Sequence, residues 1–194
     1  MGFDLWFPTA ILQDTIDDYE NINKNLIEHI EGIQKTVPSG GYNWIGRPYN
    51  TCGTFNIIED PAFDLITQKV SQKVRDYAGR LGINPNKHQF KCTEAWINIY
   101  DKKDFQEYHY HAGHKFSAVY YVQAPADSSE IVFESPLLPD MDPLPVTLHS
   151  SLTDERARYK SVPGHVIVFR SNLKHCVPAH SGDEKRISLA FNFN

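Results

Sequence analysis

The chain is poor in cysteine, carries no excess of positive charge and contains no long apolar run. Its three cysteines, Cys52, Cys92 and Cys176, are odd in number and far apart. That rules against a disulfide framework, and no CxxC pair suggests structural zinc; free thiols in a reducing cytoplasm are the expectation. Lys and Arg number 19 against 24 Asp and Glu, a net charge of -5. Non-specific nucleic-acid binding normally draws on the opposite balance, although a local basic patch, and with it a nucleic-acid substrate, stays open. No apolar stretch approaches the roughly 18 residues of a membrane span. The start, MGFDLWFPTAILQDT, lacks the basic opening and long apolar run of a signal peptide. Myristoylation at Gly2 wants Ser or Thr at position 6, where Trp6 stands. Internal repeats and low-complexity segments are absent too.

What is present fits one globular domain over residues 1–194: the length suits a substantial core, and 41% of the residues are hydrophobic. In "DTIDDYENINKNLIEHIEGIQK" the apolar residues Ile16, Tyr19, Ile22, Leu26, Ile30 and Ile33 recur at helical spacing, and Pro38-Ser39-Gly40-Gly41 ends the pattern. A second amphipathic helix starts at Asp60-Pro61 and stops at Gly82, with Phe63, Ile66, Val70, Val74 and Leu81 on one face. From about residue 88 the period becomes two. "CTEAWINIY", "KFSAVYYVQA", "SEIVFES", "HVIVFRS" and "RISLAFNF" read as strands of an antiparallel sandwich or barrel. The expected fold is therefore α+β, with mainly helical support over about 1–87 and a β core over about 88–194. Residues 135–163, with five prolines, read as a long loop and a candidate lid or substrate surface.

Chemistry concentrates in "EYHYHAGHKF", residues 107–116. If EYHYH is a strand, His109 and His111 share a face, about 6.6 Å apart along the backbone, and can converge on one metal. His175, just past the strand HVIVF, is the candidate third ligand; neutral imidazole suits iron, zinc, copper and nickel. Arg186 and Ser188 alternate on the last strand, and Arg presents a planar fork that grips a carboxylate. Asn98 and Tyr100 lie on one face of WINIY and can donate to a carboxylate or keto oxygen; Tyr121, on the next strand, can reach the same ligand. Arg170 is a second candidate anchor. His114 reads as a rim residue or a support to the ligands, His149, His165 and His180 as loop or surface residues, and Trp6, Trp44 and Trp96 as core.

With these residues in order, the chain resembles the iron(II)- and 2-oxoglutarate-dependent oxygenases. Their motif is His-x-Asp/Glu, a distant His, then Arg about ten residues later, often Arg-x-Ser. Here it is His109-Tyr-His111, His175 and Arg186-Ile-Ser188. NIY nine residues before the metal motif is similar to the nucleobase demethylase branch, and VYYV to the prolyl-hydroxylase branch. Within the superfamily the chain is most similar to a group found in bacteria and tailed phages. The similarity runs from Phe7-Pro8-Thr9 through His109-Tyr-His-Ala-Gly113, Ser117-Ala-Val-Tyr-Tyr-Val122, Pro163-Gly164 with Phe169 and His175-Cys-Val177 to Arg186-Ile-Ser188 with Phe191-Asn192.

The resemblance implies a double-stranded β-helix (jelly-roll, cupin-like) core. It also implies a dioxygenase that couples oxidative decarboxylation of 2-oxoglutarate to C–H oxidation, as in a hydroxylase. His109, His111 and His175 would hold Fe(II). Arg186 and Ser188, with Tyr121, would bind the distal carboxylate of 2-oxoglutarate, and Asn98 and Tyr100 its keto-acid end. Partners would be 2-oxoglutarate, O2 and an unidentified substrate; association as a homodimer stays open. The departure from the motif is His111, which stands where the carboxylate ligand is usual. A rival alignment takes His111 as first ligand and Gly113 as the missing carboxylate, as in the halogenases. Two other readings remain: a three-His cupin-like metalloenzyme that does not use 2-oxoglutarate, and a catalytically silent jelly-roll.

Overall fold

A computed structural model describes residues 2, 4, 5, 7–41, 44–84, 87–137 and 145–194. Two antiparallel sheets face each other. The larger has six strands in the order β1-β8-β5-β10-β3-β2, the smaller four in the order β4-β9-β6-β7. In chain order the strands are β1 (Ile11–Thr15), β2 (Tyr49–Asn50), β3 (Cys92–Tyr100), β4 (Gln106–His109), β5 (Phe116–Gln123), β6 (Ile131–Glu134), β7 (Arg156–Tyr159), β8 (His165–Arg170), β9 (His175–Val177) and β10 (Arg186–Phe193). Two helices, α1 (Tyr19–Thr36) and α2 (Asp64–Arg80), pack on the outer face of the large sheet against β5 and β8.

Period-two alternation gives β10 its two faces. Ile187, Leu189, Phe191 and Phe193 point to the helices and join Ile97, Ile99, Phe116, Tyr120, Ile30, Phe63 and Val70 in the main core. Each fully buried side chain of this size contributes about 1.5–3 kcal/mol, so truncating Phe191 to Ala should cost about 3–5 kcal/mol. The opposite face, Arg186, Ser188, Ala190 and Asn192, points between the sheets. There it lies in register with Tyr100, Asn98, Trp96 and Glu94 of β3. On its other side Ser188 faces Tyr121 and Asn192 faces Ser117 of β5, with a register shift between Ile187 and Ser188. Phe133, Ile167, Phe169 and Leu173 form a second apolar cluster beneath this inner face.

Both helices stop where the residue pattern predicts an ending, α1 at Thr36 just before Pro38 and α2 at Arg80 just before Gly82, but each starts a few residues later than the pattern suggests. The Asp60 side chain accepts a hydrogen bond from the Ala62 N–H in the short 3-10 turn leading into α2, and Gly82, at φ +75°, turns the chain out of it. Gly164 has φ +82°, and a Cβ there would meet the Tyr19 ring at 2.2 Å. The turn into β8 therefore needs glycine for both conformation and space.

The structure departs from the sequence-based expectation in three places. The first third is not purely helical support: β1 forms an edge of the large sheet beside β8, and β2 the other edge beside β3. Ile16, assigned above to the first helical face, precedes α1. EYHYH is a strand only as far as His109; His111 lies beyond it, its backbone N–H bonded to Ser171 O at 2.8 Å. The segment 135–163 is not all loop, because β7 pairs with β6 along the edge of the small sheet; residues 138–144 of it fall outside the described residues.

Candidate metal centre and cosubstrate pocket

The small sheet brings the histidines together. His109 and His175 are direct cross-strand partners on β4 and β9. His111 swings in from the turn after β4, and one nitrogen of each of the three rings lies within 4.8 Å of the others. Ring centroids are 4.2 Å apart for His109 and His175, 5.4 Å for His109 and His111 and 5.2 Å for His111 and His175.

The hydrogen bonds fix which nitrogen is free. His109 Nδ1 lies 2.8 Å from Glu107 O, and His175 Nδ1 lies 2.9 Å from Leu173 O. A carbonyl only accepts, so each Nδ1 carries the proton and each Nε2 keeps its lone pair. His111 Nδ1 lies 2.7 Å from Asn192 Oδ1, with the same consequence. Its Nε2 is buried and has no hydrogen-bond partner. Burial pushes all three rings below the ordinary imidazole range, His111 to about 4, and a proton on one ring repels protons on the others. Neutral, pre-aimed imidazoles are the state a divalent metal requires. The residues present fit such an ion: three lone pairs converge, one of them on a nitrogen otherwise orphaned.

The same cavity, about 180 Å³, is lined by the three histidines and by Asn98, Tyr100, Arg186 and Ser188. Arg186 is 1% exposed. Its Nε donates to Ser161 Oγ at 2.9 Å and its NH1 to Ser188 Oγ at 3.3 Å. The guanidinium carbon sits 4.7 Å from the Tyr100 ring centre and 5.0 Å from that of Tyr121. Among the described residues no carboxylate lies within ion-pair distance of it. A buried cation left without a counter-ion is costly by several kcal/mol, so this end of the cavity is built for an incoming anion. Burial pushes the Tyr100 hydroxyl up to about 12, and burial likewise raises that of Tyr121 against the opposing pull of Arg186. Both therefore remain protonated donors. The Tyr121 hydroxyl meets no partner in hydrogen-bond geometry, though Ser161 and Arg186 lie close enough to lower its pKa. Asn98 Oδ1 accepts from Asn50 Nδ2 at 2.7 Å, which leaves its own amide N–H to face the cavity contents.

Several expectations need correction. Trp44 and Trp96 are half-buried cavity walls rather than core: Trp44 packs edge-on to His109 at 5.1 Å and Trp96 stacks on His111 at 5.5 Å. Trp6 falls outside the described residues. His180 is 1% exposed, with Nε2 against Glu184 O. Arg170 is exposed, unlike Arg186. In the rival halogenase-type alignment His109 would stand outside the ligand set, yet its ring joins the cluster. No described residue of 135–163 lines the metal cavity; only Ser161 takes part, through Arg186. Residues 39–41 and 44–56 flank the mouth, where hollows of about 580 and 250 Å³ adjoin the cavity. Glu107 pins that segment by accepting from Ile45 N–H at 2.6 Å and Gly46 N–H at 3.1 Å. Asn50, Ser161 and Asn192 were not singled out as site residues from the sequence. For Asn192 the signal was there, since polar residues alternate along β10 on the Arg186 face.

Fold and site together define a jelly-roll whose cavity has three converging imidazoles that could hold a metal at one end and a buried guanidinium at the other. Residues 94–192 match the family described as "Putative 2OG-Fe(II) oxygenase", and the chain belongs to that family. It is accordingly an enzyme whose metal is Fe(II) and whose cosubstrate is 2-oxoglutarate. No curated protein matches it in sequence. Solved structures with the same fold include a Pseudomonas putida prolyl-4-hydroxylase, with TM-score 0.63 and 16% identity over 96% of this chain and 92% of that one. A Trichoplax adhaerens prolyl hydroxylase in complex with a hypoxia-inducible-factor peptide has TM-score 0.68 and 12% identity, over 95% and 83%. HygX from Streptomyces hygroscopicus, with nickel, 2-oxoglutarate and hygromycin B bound, has TM-score 0.59 and 13% identity, over 96% and 83%. Among the described residues no helix is long and apolar enough to cross a membrane.

Proposed function

We propose that His109, His111 and His175 hold the iron through their Nε2 atoms, and that Arg186 and Ser188 bind the distal carboxylate of 2-oxoglutarate. Tyr121 and Tyr100 donate to the same ligand from the flanks, and Asn98 steadies its keto-acid end. The observation that carries this reading is Arg186: a buried guanidinium with no carboxylate of its own, facing the cavity that the three imidazoles enter. Bound there, Fe(II) with 2-oxoglutarate and O2 supplies the oxidising power for a hydroxylation in which one oxygen atom enters a substrate C–H bond and the other enters succinate, with release of CO2.

The chain's own residues orient and exclude. Carbonyl and amide acceptors keep the three Nδ1 protons in place, so the lone pairs need no reorganisation. Trp44 and Trp96 wall the metal position from bulk water. The fork of Arg186 sets the angle of the cosubstrate, and the Ser161 hydroxyl sets the angle of the fork. Because the three imidazoles are neutral, dianionic 2-oxoglutarate would offset the charge of Fe(II) and Arg186 only in part and leave one positive charge in excess.

Relatives in fold act on different molecules: two are prolyl hydroxylases and one was solved with hygromycin B bound. The substrate must therefore be read from the mouth, where Trp44, Trp96 and the exposed Tyr110 offer aromatic faces. Residues 39–41 and 44–56 form a substrate-facing wall. We place the enzyme in the reducing cytoplasm, which suits Fe(II) and three free thiols, as a single domain over 1–194.

Succinate formation from 2-oxoglutarate, with Fe(II) and O2 supplied and candidate substrates present, tests the reading. Tight metal binding without any 2-oxoglutarate binding under anaerobic conditions would sink it in favour of a three-His cupin.

A further inference from the structure

The three proposed ligands are not supported alike. The Nδ1–H groups of His109 and His175 reach carbonyls two residues back in the chain, Glu107 O and Leu173 O. Each ring is thus set by its own local backbone. His111 lies beyond the end of β4, beside exposed Ala112 and Gly113. Its Nδ1–H reaches 81 residues along the chain to the side chain of Asn192.

Asn192 is 2% exposed, and both ends of its amide are committed. Oδ1 accepts from His111 and, at 2.8 Å, from Ser117 Oγ; Nδ2 donates to Glu94 Oε1 at 2.8 Å. Glu94 and Ser117 are the cross-strand partners of Asn192 on β3 and β5. A carboxylate accepts only, so Glu94 fixes which end of the amide is NH2. The oxygen end is thereby turned to His111 and fixes its tautomer.

Resting on the assignment of the three histidines as iron ligands, we propose that Asn192, oriented by Glu94 and Ser117, is the positioning residue for His111. It holds Nδ1 protonated and Nε2 aimed at the metal, a task the local backbone performs for the other two ligands. The Glu94–Asn192–His111 chain also polarises the ring toward the metal, since each bond strengthens the next.

The test is Co(II) titration of the metal-free full-length chain, read by visible absorption, with folding checked by thermal melting. Asn192→Leu keeps the approximate volume and removes the acceptor. It should weaken Co(II) by roughly 10- to 100-fold and shift the absorption bands as the third ring turns away. Asn192→Asp/Glu94→Gln keeps an acceptor toward His111 and a donor from position 94, and should recover most of that loss with the parental bands. Asn192→Leu binding within about twofold of the parent, against the cost usual for such support, overturns the proposal. So does a double variant that behaves no better than Asn192→Leu. If Asn192→Leu fails to fold, Glu94→Ala, at a half-exposed edge, decides: an unchanged affinity overturns the proposal, and a loss of about threefold or more supports it. A parent that does not bind Co(II) would instead sink the ligand assignment itself, an outcome distinct from a parent that binds and variants that match it.

Discussion

The two ends of the cavity solve opposite electrostatic problems with different parts of the fold. At the metal end, burial keeps three rings neutral, and their spare protons are absorbed by carbonyl and amide oxygens. At the carboxylate end, burial surrounds a permanent cation with hydroxyls and ring faces but gives it no anion. The metal end is made of short strands and turns of the small sheet; the carboxylate end depends on the register of long strands in the large one. Removing a ligand should therefore damage one function while sparing the other. The largest separation is expected for His109→Ala, which leaves two rings and should abolish stoichiometric Fe(II) or Co(II) binding. The thermal stability of the metal-free protein should hardly change, because the His109 ring is only part-buried. Retained tight binding would mean that His111 and His175 suffice.

Arg186→Ala should do the converse. Truncating one partner of a buried Arg–carboxylate contact costs on the order of 2–5 kcal/mol. At about 1.4 kcal/mol per tenfold, 2-oxoglutarate should bind roughly 30- to 4000-fold more weakly to metal-loaded protein under anaerobic conditions. Metal affinity should stay close to the parent's. Arg186→Lys should recover only part, since a point charge does not reproduce the fork. Equal losses of metal and 2-oxoglutarate would erase the distinction between the two ends.

What could be read in advance divides along the same line. Helices α1 and α2 and strands β3, β5, β6, β8 and β10 showed themselves by periodicity, because each has a face buried in a core. Strands β1, β2, β4, β7 and β9 did not, β2 having only 2 residues. ILQDT buries one residue, RARY none, and β4 and β9 have 4 and 3 residues, too few for a pattern. The His-x-His pair and Arg186-x-Ser188 were legible because they are short-range patterns. Asn50, Ser161 and Asn192 act through partners 48, 25 and 81 residues away. Their roles exist only once strand register is known, and a single Asn or Ser carries no spacing signal of its own. Trp44 and Trp96 misled for a related reason: an aromatic residue looks the same in sequence whether it fills a core or walls a cavity.

A pH titration sharpens the comparison without mutation. The histidine pKa values are lowered in the fold, so the unfolded chain, titrating near 6.5, binds protons that the folded metal-free protein refuses. Stability is thus fully present above about pH 6.5 and is lost as pH falls toward the folded values, near 4 for His111. His111 alone contributes roughly 3 kcal/mol to that loss, at about 1.36 kcal/mol per pH unit. At the other end burial raises the Tyr100 and Tyr121 hydroxyls further above this window. Metal-free protein should therefore melt at lower temperature from pH 6.5 to 4, and part of that decline should vanish in His111→Gln. An identical pH profile in the variant would show that the ring does not carry the effect.

The smallest expected effect is at Ser161, which tests whether the carboxylate end is held by its hydroxyls or only by packing. The Ser161 hydroxyl accepts from Arg186 Nε at 2.9 Å and donates to Ser129 O at 2.7 Å. It thus links the guanidinium to a backbone position on the loop before β6. In Ser161→Ala the Nε–H loses its partner in a site that Arg186 cannot leave, and a hydrogen bond to a charged group is worth about 1.5–3 kcal/mol. Most of that should appear as lost folding stability, since the bond exists before any ligand arrives. Only the fraction spent on keeping the fork at its angle should appear in binding, as a loss of about five- to tenfold in 2-oxoglutarate affinity, or roughly 1–1.4 kcal/mol. Tyr100 and Tyr121 still clamp the guanidinium from its faces, which is why the loss stays below that of Arg186→Ala. Co(II) affinity should match the parent's, because no hydrogen bond of the three histidines involves Ser161. Unfolding by urea and anaerobic 2-oxoglutarate titration on the same preparation give both numbers. A variant with lowered stability and unchanged 2-oxoglutarate affinity would show that ring packing alone aims the guanidinium.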